Sequence, residues 1–206
     1  MITIIDYDAG NMRSVEKAFV HLGCEVRITS DAQKILSAEK LVLPGVGSFR
    51  DAMERLESRG LVHCIQKAVQ ANTPLLGICL GMQLMYEFSE EGDAEGLGIL
   101  KGTIRRFPEN IGLKIPQIGW NSLEVLRPSV LLNGLEESPY VYFVHSYYVD
   151  SAEPETVAAT THYGIHPHVL VEKGNLFLTQ FHPEKSGQTG LRILKNFADL
   201  KPGGSK

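Results

Sequence analysis

Cys79, His182 and Glu184 are the residues of this sequence whose types and surroundings suit covalent chemistry. A cysteine thiolate attacks carbonyl carbon; it needs an imidazole to move the proton and a carboxylate to orient that imidazole. Cys79 stands in GICLGMQ, between an apolar run and an amphipathic one. Its neighbours alone leave two readings open, a nucleophile or a small apolar residue filling the core. His182 stands in QFHPEKS, at the end of the apolar run NLFLTQF. Pro183 fixes the turn there, and the carboxylate of Glu184 can come back to one ring nitrogen. As a bare HxE pattern this too is a weak signal.

Small residues make the cysteine's setting more specific. Gly77 and Gly81 flank it two positions away on each side, between a predicted strand and a predicted helix. That is the layout of a nucleophile elbow, a sharp turn that lifts a side chain above a sheet. The partial positive charge of a helix N-terminus favours a thiolate placed there, and the N–H of Leu80 can face a developing oxyanion. A second glycine turn, in LVLPGVGSF, has neither the spacing of a dinucleotide loop nor the lysine of a phosphate loop. Its use is then to offer backbone N–H groups near Val46 and Gly47. Among the other histidines, His145 in YFVHSYY reads equally as a site wall or a satisfied core residue, and His21, His63, His162, His166 and His168 lack a matching context.

These residues need elements to position them, and the first half of the chain supplies a βαβα rhythm. Strands are expected at ITIID, EVRIT, LVLPG and PLLGI, with helices near 11–22, 31–36, 48–58, 61–71 and through GMQLMYEF. Continuous apolar strands imply a sheet covered on both faces. The second half carries shorter strand candidates, GTIRRF, YVYFVHSYYV, TVAATTHY, HVLVE and NLFLTQF, before a closing helix in GLRILKNFADL. The expected fold is therefore α/β: an open, mostly parallel twisted sheet of flavodoxin-like kind, helices on both faces, some antiparallel strands late in the chain. The functional loops would gather at the carboxyl ends of its strands.

A length of 206 residues suits a single domain, 1–206, and 43% hydrophobic with 21% charged residues is the balance of a globular protein. The net charge of −4 argues against a nucleic-acid partner. Arg105 and Arg106, in the local basic patch KGTIRRF, are read as a solvated edge. No apolar run reaches membrane-spanning length, and the N-terminus reads as a strand rather than a targeting segment, so a cytoplasmic location is expected. Cys24, Cys64 and Cys79 show no metal-ligand spacing. Neither a disulfide framework nor a metal is expected, and the closing KPGGSK is expected to fray.

PGVGSF, GICLGMQ and QFHPEKS, in that order, resemble the class I glutamine amidotransferase family. Within it the chain is most similar to the glutaminase subunits of imidazole glycerol phosphate synthases, through IIDYDAGNMRSV, GWNSL and YFVHSYY, from Ile4 to about Phe197. The resemblance implies that Cys79 attacks the side-chain amide of glutamine to give a thioester, that His182 carries the protons and that Glu184 orients it. It implies an oxyanion hole from the N–H groups of Leu80 and Val46, and a glutamine pocket at Gly47, Gln83, Ser146 and Tyr147, with no cofactor. It further implies a heterodimer with a separate (βα)8-barrel cyclase subunit in histidine biosynthesis, docked near Asn11, Trp120, Tyr142 and Lys185. Two positions depart from the family's habit: Asp8 stands where glycine is usual, and Leu178 near another usual glycine. A glutaminase serving anthranilate or another synthase, a non-catalytic module of the same fold, and a cysteine hydrolase are the competing readings.

Overall fold

In the computed structural model, which describes residues 1–201, the first half alternates as its periodicity predicts. The elements are β1 (Ile2–Ile5), α1 (Met12–His21), β2 (Val26–Thr29), α2 (Ala32–Leu36), β3 (Leu41–Gly45), α3 (Phe49–Ser58), α4 (Leu61–Gln70), β4 (Leu75–Cys79) and α5 (Leu80–Gln83). Helix starts follow local chemistry: Asp31 accepts from the N–H groups of Gln33 and Lys34, and Ser48 from that of Asp51. The second half adds β5 (Phe88–Ser89), β6 (Ala94–Glu95), β7 (Gly102–Arg106), β8 (Gln117–Ser122) and β9 (Glu124–Val125). It continues with β10 (Tyr140–His145), β11 (Tyr147–Ser151), β12 (Val157–Thr160), β13 (His168–Lys173), β14 (Leu176–Thr179) and α6 (Gly187–Ala198). From Pro202 onward the closing KPGGSK lies outside the described residues.

Five parallel strands, in the order β2-β1-β3-β4-β14, carry the flavodoxin-like arrangement, and β13, β11 and β7 extend the sheet in antiparallel pairings. Alternation along each parallel strand divides the core into two layers. Leu41 and Leu43 of β3 and Leu75 of β4 pack with α3 and α4 through Leu56, Leu61 and Ile65. Val42, Leu76 and Ile78 point the other way and pack with Phe19 of α1 and Ile193, Leu194 and Phe197 of α6. Successive strand residues face opposite sides, so an unbroken apolar run is what two covered faces require. The topological step that matters for chemistry is the return of β14 to lie parallel against β4, with Thr179 opposite Ile78. It places the residues following both strands at one edge.

Two expected elements come out differently. The helix foreseen through GMQLMYEF ends at Gln83, because the backbone beyond it bonds elsewhere: Leu97 N–H donates to Leu84 O, and Ile99 and Leu100 N–H to Met85 O. Leu84, Met85 and Tyr86 are all buried, so this stretch has no solvent face for an amphipathic helix to present. YVYFVHSYYV is not one strand but two, broken at Ser146. Its first part, β10, pairs with β8 in a separate two-stranded sheet, and its second, β11, joins the main sheet against β7. Strand β8, which contains GWNS, was not anticipated as a strand at all. Arg105 pairs with Asp150 on the partner strand, both half-exposed, as a solvated edge should.

Candidate active site

Cys79 ends β4 with φ 54° and ψ −109°, a left-handed backbone angle that an L-residue other than glycine rarely adopts. The chain tolerates it because its neighbours leave no alternative. A Cβ at Gly81 would overlap the carbonyl oxygen of Leu43, so α5 can press onto β3 only with glycine there. A Cβ at Gly77 would lie 2.7 Å from Leu178 Cδ2 and 2.8 Å from Gly81 O. The atypical Leu178 thus fills the space that Gly77 leaves, its register partner across the β4–β14 pairing.

His182 and Glu184 follow β14 and are buried beside this turn. Nδ1 of His182 lies 2.7 Å from Oε1 of Glu184, and neither side chain is exposed to solvent. The same carboxylate oxygen accepts from Asn11 Nδ2 at 2.6 Å. Nε2 of His182 is buried without a hydrogen-bond partner, which leaves it free on the side of the thiol. Burial by itself would depress the basicity of this imidazole. Its interactions with Cys79 and Glu184 outweigh that and push the His182 pKa up to about 10.

A cavity of about 450 Å³, within the usual range of small-molecule sites, opens over these groups. Its walls include Cys79, His182, Val46, Gly47, Leu80, Gln83, Ser146, Tyr147 and Lys185. The structure therefore brings together Cys79, His182 and every residue that the resemblance assigned to oxyanion hole and glutamine pocket. Glu184 stands behind His182. His145 proves to be wall and satisfied residue at once: it lines the cavity, with Nδ1 2.8 Å from Tyr147 O and Nε2 3.0 Å from the Gln117 side-chain amide. Burial, set against the hydrogen bond to Tyr147 and joined by the charge of His182, lowers its pKa to about 4. His145 is neutral at physiological pH.

The four positions expected at a docking face are all exposed or half-exposed, and three of them have side chains free of the site's interior. Trp120 on β8 is 55% exposed and meets the ring of Tyr142 on β10 edge-on, with Ile118 and Tyr140 exposed at 62% and 56%. Lys185 is exposed at the cavity rim. Asn11 is different, because its side chain turns inward to Glu184. Sequence reasoning also passed over Gln180, Glu91 and Tyr7. Gln180 is fully buried and lies against Cys79 and Gln83, directly after β14 and two residues before His182. Glu91, among the described residues the one carboxylate on the cavity wall, carried no signal, since it follows the helix that ends early; burial raises its pKa. Tyr7 donates to Pro44 O at 2.9 Å and so ties the first loop to the end of β3.

A strained cysteine at a strand–helix turn, a buried histidine–carboxylate pair on the adjacent parallel strand and a ligand-sized cavity above them define a cysteine-dependent α/β enzyme. The chain belongs to the class-I glutamine amidotransferase family, whose model matches residues 3–200. It is 50% identical to "Imidazole glycerol phosphate synthase subunit HisH" of Caldanaerobacter subterraneus subsp. tengcongensis, over 97% of this chain and 98% of that one. It is 48% identical to the protein of the same name from Syntrophotalea carbinolica, over 97% and 100%. A crystal structure of a glutamine amidotransferase shares the fold, with a TM-score of 0.75 at 21% identity over 97% and 98% of the two chains. Among the described residues no helix is long and apolar enough to cross a membrane, and no group of three or more His, Cys, Asp or Glu side chains could hold a metal ion.

Proposed function

We propose that the chain is a single glutamine amidotransferase domain acting as the glutaminase subunit of an imidazole glycerol phosphate synthase in histidine biosynthesis, working in the cytoplasm. The observation that carries this reading is the meeting of Cys79, at the strained end of β4, with the His182–Glu184 pair after β14 in one cavity. Cys79 Sγ attacks the carboxamide carbon of glutamine, and the oxygen takes the negative charge. The N–H of Leu80 receives that charge together with the N–H of Val46 when the loop after β3 presents it. His182, protonated at neutral pH, passes its proton to the nitrogen as the C–N bond breaks and ammonia leaves. The imidazole, now neutral, takes a proton from water, whose oxygen displaces Cys79 from the thioester and yields glutamate. Glu184 holds the ring through Nδ1 during both steps. Gly47, Gln83, Ser146 and Tyr147 surround the substrate, and Glu91 offers a carboxylate to its α-ammonium group.

Ammonia lost to water would be protonated and no longer nucleophilic, so its consumer has to sit against this cavity. The exposed Ile118, Trp120 and Tyr140, with the half-buried Tyr142, beside the rim residue Lys185 suit a separate (βα)8-barrel cyclase subunit in a heterodimer. The test is ammonia release from glutamine, measured with and without the cyclase subunit and its ligand. A slow rate that rises strongly with the partner and vanishes in Cys79→Ala is expected. Equal rates with and without the partner would refute its regulatory part, and an unchanged rate in Cys79→Ala would refute the nucleophile.

A further inference from the structure

The side chain of Gln180 is completely buried, and it spends both ends of its amide on the site. Its Nε2 faces Cys79 Sγ at 3.7 Å, and its Oε1 accepts from Gln83 Nε2 at 2.9 Å. Gln83 Nε2 also donates to Tyr147 O at 3.0 Å. Burying an amide costs free energy that an apolar residue of similar size would avoid, so the position invites a reason. The reason is polarity. A sulfur that becomes a thiolate only accepts, which turns the N–H end of Gln180 toward it. The carbonyl end then meets Gln83, which must answer with its own N–H₂, an orientation that the carbonyl of Tyr147 also demands. Oε1 of Gln83 is left as the end available to the cavity that Gln83 lines.

We propose that Gln180 is a catalytic residue of this site: its amide N–H holds and stabilises the Cys79 thiolate, and its carbonyl fixes Gln83 so that an acceptor oxygen faces the N–H groups of the substrate. The second half of this statement rests on the glutaminase reading, whereas the first concerns the thiol alone. Two signals follow. Loss of the donor slows the sulfur itself, and loss of the carbonyl weakens substrate capture, so kcat and KM both move.

The test uses the full chain with Gln180→Glu, which keeps the shape and sets a carboxylate against the sulfur, and Gln180→Met, which keeps the volume without charge or donor. Alkylation of Cys79 by iodoacetamide is followed across pH, with Cys79→Ala as the blank, and glutamine hydrolysis is measured in the complex with the cyclase subunit. Expected are an alkaline displacement of the alkylation profile, with a slowing of about tenfold at neutral pH in Gln180→Glu and a smaller one in Gln180→Met. A kcat loss of about 10²-fold with a raised KM accompanies it. Should Gln180→Glu fail to fold, the Gln180→Met profile decides. Profiles that superimpose on the parent in folded variants would overturn the proposal. A displaced profile in a chain whose parent form never hydrolyses glutamine would uphold the thiolate role and refute the glutaminase reading.

Discussion

Replacing Asn11 by alanine separates two accounts of that residue. The family resemblance sets it at a docking face, whereas the structure turns its amide to Glu184 Oε1 at 2.6 Å. That carboxylate is fully buried, its Oε2 has no hydrogen-bond partner, and its other polar contact is His182 Nδ1. Asn11 therefore supplies one of two donors to a charge that water does not reach. Hydrogen bonds to charged groups contribute about 1.5–3 kcal/mol. In a domain of this size each kilocalorie moves the melting midpoint by roughly 2–4 °C, so a fall of about 3–12 °C is expected. If the lost donor also loosens the ring of His182, the same energy corresponds to about 10- to 100-fold in kcat. Asn11 sits at φ 76°, where alanine adds backbone strain, so Asn11→Gly is the cleaner deletion and is expected to show the loss without it. Asn11→Asp sets one carboxylate against another and should do worse than either. The assays are thermal melting of the partner-free chain and ammonia release at saturating glutamine. A glycine variant with an unchanged midpoint and partner-free rate, weakened only in complex formation, would refute the internal role.

Titration of His145 should shape the acid limb of stability. Its folded pKa of about 4 lies below the unfolded value of ~6.5, so between those pH values the unfolded chain takes up a proton that the folded one refuses. Stability from this group is complete above pH ~6.5 and falls by ~1.4 kcal/mol per unit towards pH 4; His145→Gln should flatten that limb in denaturant titrations, and an unchanged slope would count against it. His182 has the opposite sign: its contribution is complete below ~6.5 and is lost as pH rises towards 10. His182→Gln should therefore flatten the alkaline limb in the same titrations. Asp8→Gly should leave stability nearly unchanged, since it removes a partly exposed ion pair to Arg59, worth about 0–1 kcal/mol, while relieving a left-handed φ of 61° at an aspartate. A loss of several degrees in the melting midpoint would show that the ion pair outweighs the strain.

What the sequence revealed and what it hid divide along a physical line. Parallel strands covered on both faces announce themselves as apolar runs, and β1, β3 and β4 were legible for that reason. The functional loops were legible because glycine, proline and a reactive side chain each leave a type-specific mark. Gly81 has to be glycine against Leu43, Pro183 fixes the turn after His182, and the cysteine between Gly77 and Gly81 is the elbow itself. Burial of polar side chains leaves no such mark. Glutamine at 180 and glutamate at 91 are residue types usually found at the surface, and only the folding of β14 onto β4 sets the first against Cys79 and the early end of α5 brings the second to the cavity. The same holds for YVYFVHSYYV, where the change of sheet at Ser146 depends on strands distant in sequence.

The loop 6–11 shows how far this goes, because a segment that reads as partner-facing surface is held from both sides of the cavity, at β3 and at Glu184. Tyr7 donates to Pro44 O, and Gly10 packs so closely on Val46 that a Cβ there would come within 2.8 Å of Val46 Cγ2. These two contacts reach the end of β3 and the turn that follows it. Asn11 reaches the carboxylate behind His182, and Asp8 is fastened to α3 by Arg59 at its carboxylate and Arg55 at its carbonyl. Helix α3 in turn begins two residues after Gly47. Asp8 and Asn11, both at positive φ, thus lie in a loop whose contacts reach the end of β3, helix α3 and Glu184. The first loop touches the Glu184 carboxylate through Asn11, and the end of β3 and the turn after it through Tyr7 and Gly10. Docking and catalysis need not compete for this loop, since its backbone can meet a partner while its side chains serve the site within.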